Sequence, residues 1–250
     1  MGTMRKAAVV LLFAVFAACS APSPRPAFDD ARALADAATA ATASGGSAKF
    51  GTDVAVGSVR SKGQGRARFG ADGTAQVMTT DFLGEPMELR LVAGKLYAKA
   101  PEGSRDEAGK PWTLVAADGT DPFSQVLGGS LTQLAAQNDP AHTLREIRTA
   151  GTIVAAERTN LGGVAAEHYR VDLELTRLGT DLPAGLPADA AGRVGGKFPV
   201  ELWLDEGHRP LQIVLDLSPI LPGAEARITT RYSDWGVPVD VQPPPSGEVG

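Results

Sequence analysis

A single cysteine, Cys19, stands in the 250 residues of this chain, so no internal disulfide can brace it. Histidine is equally sparse: His142, His168 and His208 are the only three, and no two stand at metal-ligand spacing. Each reads as a surface or structural residue, and no metal or cofactor is expected. The formal net charge is −5 and no run of basic residues appears, which argues against nucleic acid as a partner. Aromatic residues make up only 6% while Ala and Gly abound, a compositional trait that bears on no activity. Nucleophile motifs are lacking too. Ser130 follows Gly128-Gly129 outside any G-x-S-x-G elbow, and Gly63 and Gly65 before Arg66 and Arg68 form neither a P-loop nor a dinucleotide fingerprint. Asp205-Glu206 reads as a solvated acid pair at a turn. No enzyme is expected.

Long apolar runs are missing as well, apart from one near the start. Arg5 and Lys6 precede the apolar stretch Ala7 to Phe16, and small Ala17 and Ala18 then lead into Cys19 and Ser20. These are the three parts of an export signal, residues 1–18. The apolar stretch is shorter than the roughly 20 residues a helix needs to cross a hydrocarbon core. Phe16-Ala17-Ala18-Cys19 resembles a lipobox, with Phe16 in place of the usual leucine. The expectation is cleavage before Cys19 and a diacylglyceryl anchor on its thiol, holding the protein on the outer face of the cell membrane. Two acyl chains make such an anchor lasting, because each buried methylene contributes about 0.8 kcal/mol. An ordinary signal peptide ending near a cysteine is the alternative.

Pro22, Pro24 and Pro26 make residues 19–27 an extended tether, and Pro243, Pro244 and Pro245 mark residues 238–250 as an unpacked, flexible tail. One domain is expected between them, residues 28–237. Asp29 and Asp30 open an Ala-rich helix running to about Ala43, stopped by Gly45-Gly46, with Phe28, Ala31, Leu34, Ala35 and Ala38 as its apolar stripe. Strands are expected at 47–57, 60–69, 74–82, 86–93 and 95–100, with tight turns at Asp72-Gly73 and Ala93-Gly94-Lys95. Asp121-Pro122 predicts a helix to about Gln137, and Asn138-Asp139-Pro140 stops it and starts another to about Thr149. A second set of strands follows at 150–159, 164–176, 198–205, 209–218 and 224–234. Residues 178–197, rich in Gly and Pro, suit a surface loop or lid.

Alternation defines two faces. Met87, Leu89 and Leu91 oppose Glu88 and Arg90; Tyr169, Val171, Leu173 and Leu175 oppose Arg170, Asp172 and Glu174; Val200, Leu202 and Leu204 oppose Glu201, Trp203 and Asp205. Leu211, Ile213, Leu215 and Leu217 repeat the pattern, and Arg227 and Arg231 belong to the wet face. The fold class that fits is α+β: a curved antiparallel half-barrel sheet of about ten strands, its apolar concave face covered by helices. Whether that apolar face encloses an open cavity or a filled core, alternation leaves open.

The order of lipobox, Pro-rich spacer, Ala-rich helix, β meander, helix pair and second meander is similar to that of one known group. Pro199-Val200-Glu201-Leu202-Trp203-Leu204-Asp205, Arg209-Pro210-Leu211-Gln212 and Arg231-Tyr232-Ser233-Asp234-Trp235-Gly236 fit the same pattern. The chain resembles the LppX/LprAFG lipoproteins of mycobacteria and related actinobacteria. The resemblance implies a LolA/LolB-like half-barrel whose hydrophobic cavity binds an acylated lipid or glycolipid for carriage across the envelope, with a membrane exporter as a possible partner. On that reading the cavity is lined by Met87, Leu89, Leu91, Phe123, Val126, Leu127, Leu131, Leu134, Tyr169, Val171, Leu173, Leu202, Leu204, Ile213 and Leu215. The alternative is a non-carrier envelope lipoprotein that assists a membrane transporter or enzyme through its surface.

Overall fold

The computed structural model describes residues 26–70, 73–82, 84–99, 101, 109–115, 135, 138–179, 196–219 and 225–250. Within them, period-two alternation does what it must in a sheet, sending one set of side chains inward and the other to water. The strands are β1 (Ser47–Val56), β2 (Val59–Arg68), β3 (Ala75–Phe82), β4 (Glu85–Val92), β5 (Lys95–Lys99), β6 (Trp112–Val115), β7 (Gly151–Leu161), β8 (Val164–Glu174), β9 (Lys197–Leu204), β10 (Pro210–Asp216) and β11 (Ala226–Ser233). They form one antiparallel sheet in the order β6-β5-β4-β3-β2-β1-β11-β10-β9-β8-β7. Each half of the chain is thus a meander, and the first and last strands join the two wings by pairing at the centre, Phe50 opposite Tyr232 and Thr52 opposite Thr230.

Three α-helices accompany the sheet among the described residues: α1 (Ala31–Gly45), α2 (Pro140–Ala150) and the single turn α3 (Leu175–Leu178). Asp30 caps α1, its side chain accepting from the Ala33 amide at 2.8 Å, and Gly46 ends the helix at φ 68°, where a side chain would be strained. Asp139 caps α2 and Pro140 opens it. The stripe Ala31, Leu34, Ala35 and Ala38 of α1 packs with Leu144, Ile147 and Ala150 of α2 into the same core as the inner faces of β7–β10.

Several expectations are corrected. β6 had no expected counterpart; four residues are too few for alternation to register. Strand 164–176 ends instead at Glu174, and Leu175 is buried from the turn of α3 rather than from a strand. A register shift between Pro210 and Gln212 interrupts the expected alternation of β10, so Leu211 is only half-buried while Ile213, Leu215 and Leu217 are buried. Asp205, expected to be solvated, is buried: its carboxylate accepts from the amides of Gly207 and Arg209 and from the Arg209 guanidinium, shaping the β9–β10 turn. The tail from Pro238, expected to be unpacked, lies against the β4–β6 wing. The Gly250 amide donates to the Trp112 carbonyl at 2.8 Å, Lys110 Nζ to that of Val249 at 2.6 Å, and Arg90 Nη1 to that of Gln242 at 3.3 Å. The physical reason is the edge: β6 offers unpaired backbone groups and an outward Trp112, which the tail and the Arg90 guanidinium, 4.5 Å from its ring, cover together.

Helix 121–137 and the 178–197 loop fall largely outside the described residues, as do the signal segment and most of the tether. No described helix is long and apolar enough to cross a membrane.

Candidate functional site

The inner face is built strand by strand. Cross-strand register sets Leu202 of β9 between Tyr169 and Ile213, and Val200 between Val171 and Leu215. Leu173 faces Phe198, and Glu167 faces Leu204. Tyr169, Val171, Leu173, Phe198, Val200, Leu202, Leu204, Ile213 and Leu215 are each at most 4% exposed, beneath the apolar stripes of α1 and α2. On the other wing Leu89 lies opposite Met78 and Ala98, and Leu91 opposite Gln76 and Leu96. Met87 and Leu89 are buried and Leu91 is half-buried.

The expected lining therefore falls on one face but in two groups. Met87, Leu89 and Leu91 belong to β4; the others belong to β8–β10. Five strand spacings separate β4 from β10, about 24 Å along the sheet at ~4.8 Å each. Phe123, Val126, Leu127, Leu131, Leu134 and Cys19 lie outside the described residues.

Between the groups the floor is different. Thr52, Gly63, Thr80 and Thr230 sit in register across β3, β2, β1 and β11, followed by Phe50, Gly65 and Met78 one step along. The Phe50 ring lies over Gly65, where an added Cβ would come within 2.8 Å of it, so this contact requires glycine. Gly63 leaves its space to the flexible Met78 side chain. Toward the far end of the strands, Val54, Ser61 and Ile228 are only half-buried on the same face.

A buried polar knot closes one end of this floor. Asn138, fully buried just before α2, accepts from Thr52 Oγ1 at 2.5 Å and places its amide nitrogen 3.2 Å from Met78 Sδ. Its carbonyl accepts from the Tyr232 hydroxyl at 3.3 Å, and Gln76 Nε2 donates to the Ala135 carbonyl at 2.8 Å. Burial holds the Tyr232 phenol well above its ordinary pKa, so it stays a donor. At the opposite wing burial also raises Tyr169, aided by Glu167, which accepts from its hydroxyl. Sequence reasoning missed this floor and knot because Thr, Asn, Gln and Gly carry no apolar alternation. The only signal was the placement of Gly63 and Gly65 two residues apart within a strand.

The histidines take structural contacts. His168 stacks on Trp203 with ring centroids 4.1 Å apart and reaches Glu157 and Glu201 on the outer face. His208 meets Phe28 edge-on at 5.0 Å. His142 Nε2 stands 3.2 Å from Glu146 Oε1, at ion-pair distance although not aligned as a hydrogen bond. The pull of that carboxylate, opposed by burial, raises the imidazole pKa above its ordinary value. No group of His, Cys, Asp and Glu suited to a metal occurs among the described residues.

No family model matches the sequence, and no curated protein matches it. Solved structures do. The lipoprotein LppX of Mycobacterium tuberculosis superposes with a TM-score of 0.52 at 15% identity, covering 85% of this chain and 98% of that one. LprF of Mycobacterium bovis gives 0.47 at 14%, covering 86% and 96%. A LolA superfamily protein of Nitrosomonas europaea gives 0.34 at 11%, covering 82% and 92%. At such identities the likeness speaks of backbone alone, and the LppX superposition carries it: this chain has the fold of a mycobacterial lipoprotein, an open antiparallel sheet curved over one inner face.

Proposed function

We propose that this protein is a membrane-anchored envelope lipoprotein that holds an acylated lipid or glycolipid against the inner face of its sheet and carries or chaperones it across the envelope. The observation that supports this most is the pairing of two apolar wings with a central floor of small side chains, Gly63, Ser61, Thr52, Thr80 and Thr230, on a fold shared with LppX. Small side chains leave room that large ones would fill. Half-buried Val54 and Ile228 offer apolar surface beside that room. An acyl chain of ~15 buried methylenes gains up to about 12 kcal/mol at ~0.8 each, before ordering costs, so no charged residue is needed to hold it. Lipid-bearing Cys19 and the short tether keep the domain at the extracytoplasmic membrane face, where such cargo is available.

A second reading has an observation of its own. The β7–β10 wing is filled by its own side chains and by α1 and α2, which is what a core without a ligand looks like. On that reading the protein is a non-carrier module that assists a membrane transporter or enzyme through its surface.

Native mass spectrometry after gentle extraction separates the two. The mature chain with Cys19→Ala, exported from an actinobacterial host, should carry acylated lipid in stoichiometric amount. Thr230→Trp, which fills the central floor, should lower the load. A stable wild-type chain that is empty and refuses added lipid would establish the module reading.

A further inference from the structure

β2 is unusual in the charge it turns outward. Its alternate residues Arg60, Lys62, Gln64, Arg66 and Arg68 all face away from the core and none is acidic, in a chain whose net charge is negative. Arg60 and Lys62, and likewise Arg66 and Arg68, are about 6.8 Å apart along the strand, inside the ~8 Å Debye length at physiological salt, so each pair repels. The repulsion is relieved at one end only. Arg60 meets Glu225 at 3.1 Å, and Lys62 shares Asp53 with Arg231. Arg66 and Arg68 are exposed and meet no carboxylate among the described residues.

Beside Arg66 the surface is hollow. Gly51 of β1 faces outward with no side chain to fill the space, and Gln64 and Arg231 stand directly across from it on the flanking strands. A hollow of about 550 Å³ results. Its rim carries Lys49, Gln64, Arg66, Thr79, Arg231 and Ser233, all hydrogen-bond donors, and no acidic residue lines it. Lys49 is held 2.8 Å from Asp234, so the uncompensated charge there is chiefly that of Arg66.

The placement of this end matters. The Ala27 amide donates to Glu167 and the Phe28 amide to the Tyr169 hydroxyl, so the chain enters the domain where β8 begins. Antiparallel pairing across the sheet puts the start of β8, the start of β1 and the end of β2 at the same end. The tether from Cys19 to Ala27 spans at most about 25 Å at ~3.1 Å per residue. From these facts we infer that the outer face around Gly51, Arg66 and Arg68 docks on an anionic bilayer, with a phospholipid phosphate seated in the Gly51 hollow. This rests on the membrane anchorage proposed above but not on the lipid cargo. Docking fixes which way the sheet faces relative to the membrane, which an acyl anchor on a free tether does not.

The test uses the mature chain with Cys19→Ala, which takes no acyl anchor, and co-sedimentation with vesicles of phosphatidylcholine alone or in equal parts with phosphatidylglycerol. Binding is expected to the anionic vesicles only. Arg66→Gln with Arg68→Gln should weaken it about 30-fold, from roughly 5-fold per charge near an anionic surface. The same charge change at the far end, Arg60→Gln with Arg227→Gln, should weaken it less than about 3-fold. Gly51→Leu alters no charge and has open space for its side chain, since an added Cβ meets only the Gly63 carbonyl oxygen at 3.9 Å; it should weaken binding several-fold. Circular dichroism checks that each variant is folded. Equal binding to both vesicles, equal losses in the two double variants, wild-type binding by Gly51→Leu, or binding of inorganic phosphate without vesicles would overturn the inference. Lipid load measured on the same preparations reports on the cargo independently.

Discussion

The β7–β10 wing and the central strands β11-β1-β2-β3 belong to one sheet, yet their inner faces are made differently. On the wing, Phe198, Leu202, Leu204 and Leu173 are fully buried under α1 and α2, and the contacts are mostly apolar. At the centre, Gly63 lies between Thr80 and Thr52 with Thr230 next in the row, and the start of α2 reaches them through Asn138, a polar side chain. The wing is held together by area removed from water. The centre adds a few directed bonds to the packing of Phe50, Met78 and Tyr232, and keeps its side chains small in the row of Thr52, Gly63, Thr80 and Thr230. One sheet therefore carries large apolar side chains over one stretch of its inner face and a row of small polar ones over another.

The sharpest way to break the comparison is to hollow the wing. Phe198→Ala should cost about 3–5 kcal/mol in a denaturant titration, since the ring is fully buried and its neighbours cannot collapse onto the space. Leu173→Trp overpacks the same filled wing and should cost about 1–3 kcal/mol, so it tests stability rather than lipid load. A loss under 1 kcal/mol for Phe198→Ala would mean that the wing, too, is loosely packed.

At the centre, Asn138→Ala should cost about 1–3 kcal/mol in the same titration by leaving the Thr52 hydroxyl only the long contact to Thr230 Oγ1 at 3.4 Å. Asn138→Asp keeps the acceptor but buries a charge and should be at least as costly. A neutral Asn138→Ala would show that water replaces the side chain without penalty.

The helix joining the two regions offers a pH test. The folded pKa of His142 is raised above its ordinary 6.5 by Glu146. Protons are then bound more tightly in the folded state, so this contribution is fully present below pH 6.5 and is lost as pH rises through the folded value. Denaturant midpoints should fall over that window in the wild type, and His142→Gln should flatten the fall. A parallel slope in both proteins would assign it elsewhere.

The smallest effect is expected where α1 meets α2 at the surface. Arg148 Nε stands 2.7 Å from Asp36 with both side chains about half exposed. Arg148→Ala should cost no more than about 0.5 kcal/mol by the same measurement. A larger loss would mean that the two helices depend on this pair as well as on Leu34, Leu144 and Ile147.

Much of the fold was legible because its signals are local. The caps Asp30 and Asp139, the stop at Gly46 and the hairpin at Ala93-Gly94 each sit where short-range stereochemistry puts them. Alternation placed Tyr169, Val171, Leu173, Leu202 and Leu204 on one face correctly. Strand β6 was too short to be read, and the tail looked unpacked because a proline-rich segment carries no periodicity, although the edge it covers draws it in. The small central floor was invisible for a related reason. Nothing in Thr52, Gly63, Thr80 and Thr230 taken singly says that register will line them up.

What the sequence by itself determined is the set of elements and the face each strand buries, because helix caps and period-two alternation act between residues a few positions apart. Only the tertiary structure decided that β1 pairs with β11, and with it everything that depends on that closure. The pairing sets Gly51 against Arg231, Thr52 against Thr230 and the Arg68 end of β2 at the same end of the sheet as the entry of the tether. Those residues lie up to about 180 positions apart, and only the closing of the two meanders into one sheet brings them within reach of each other.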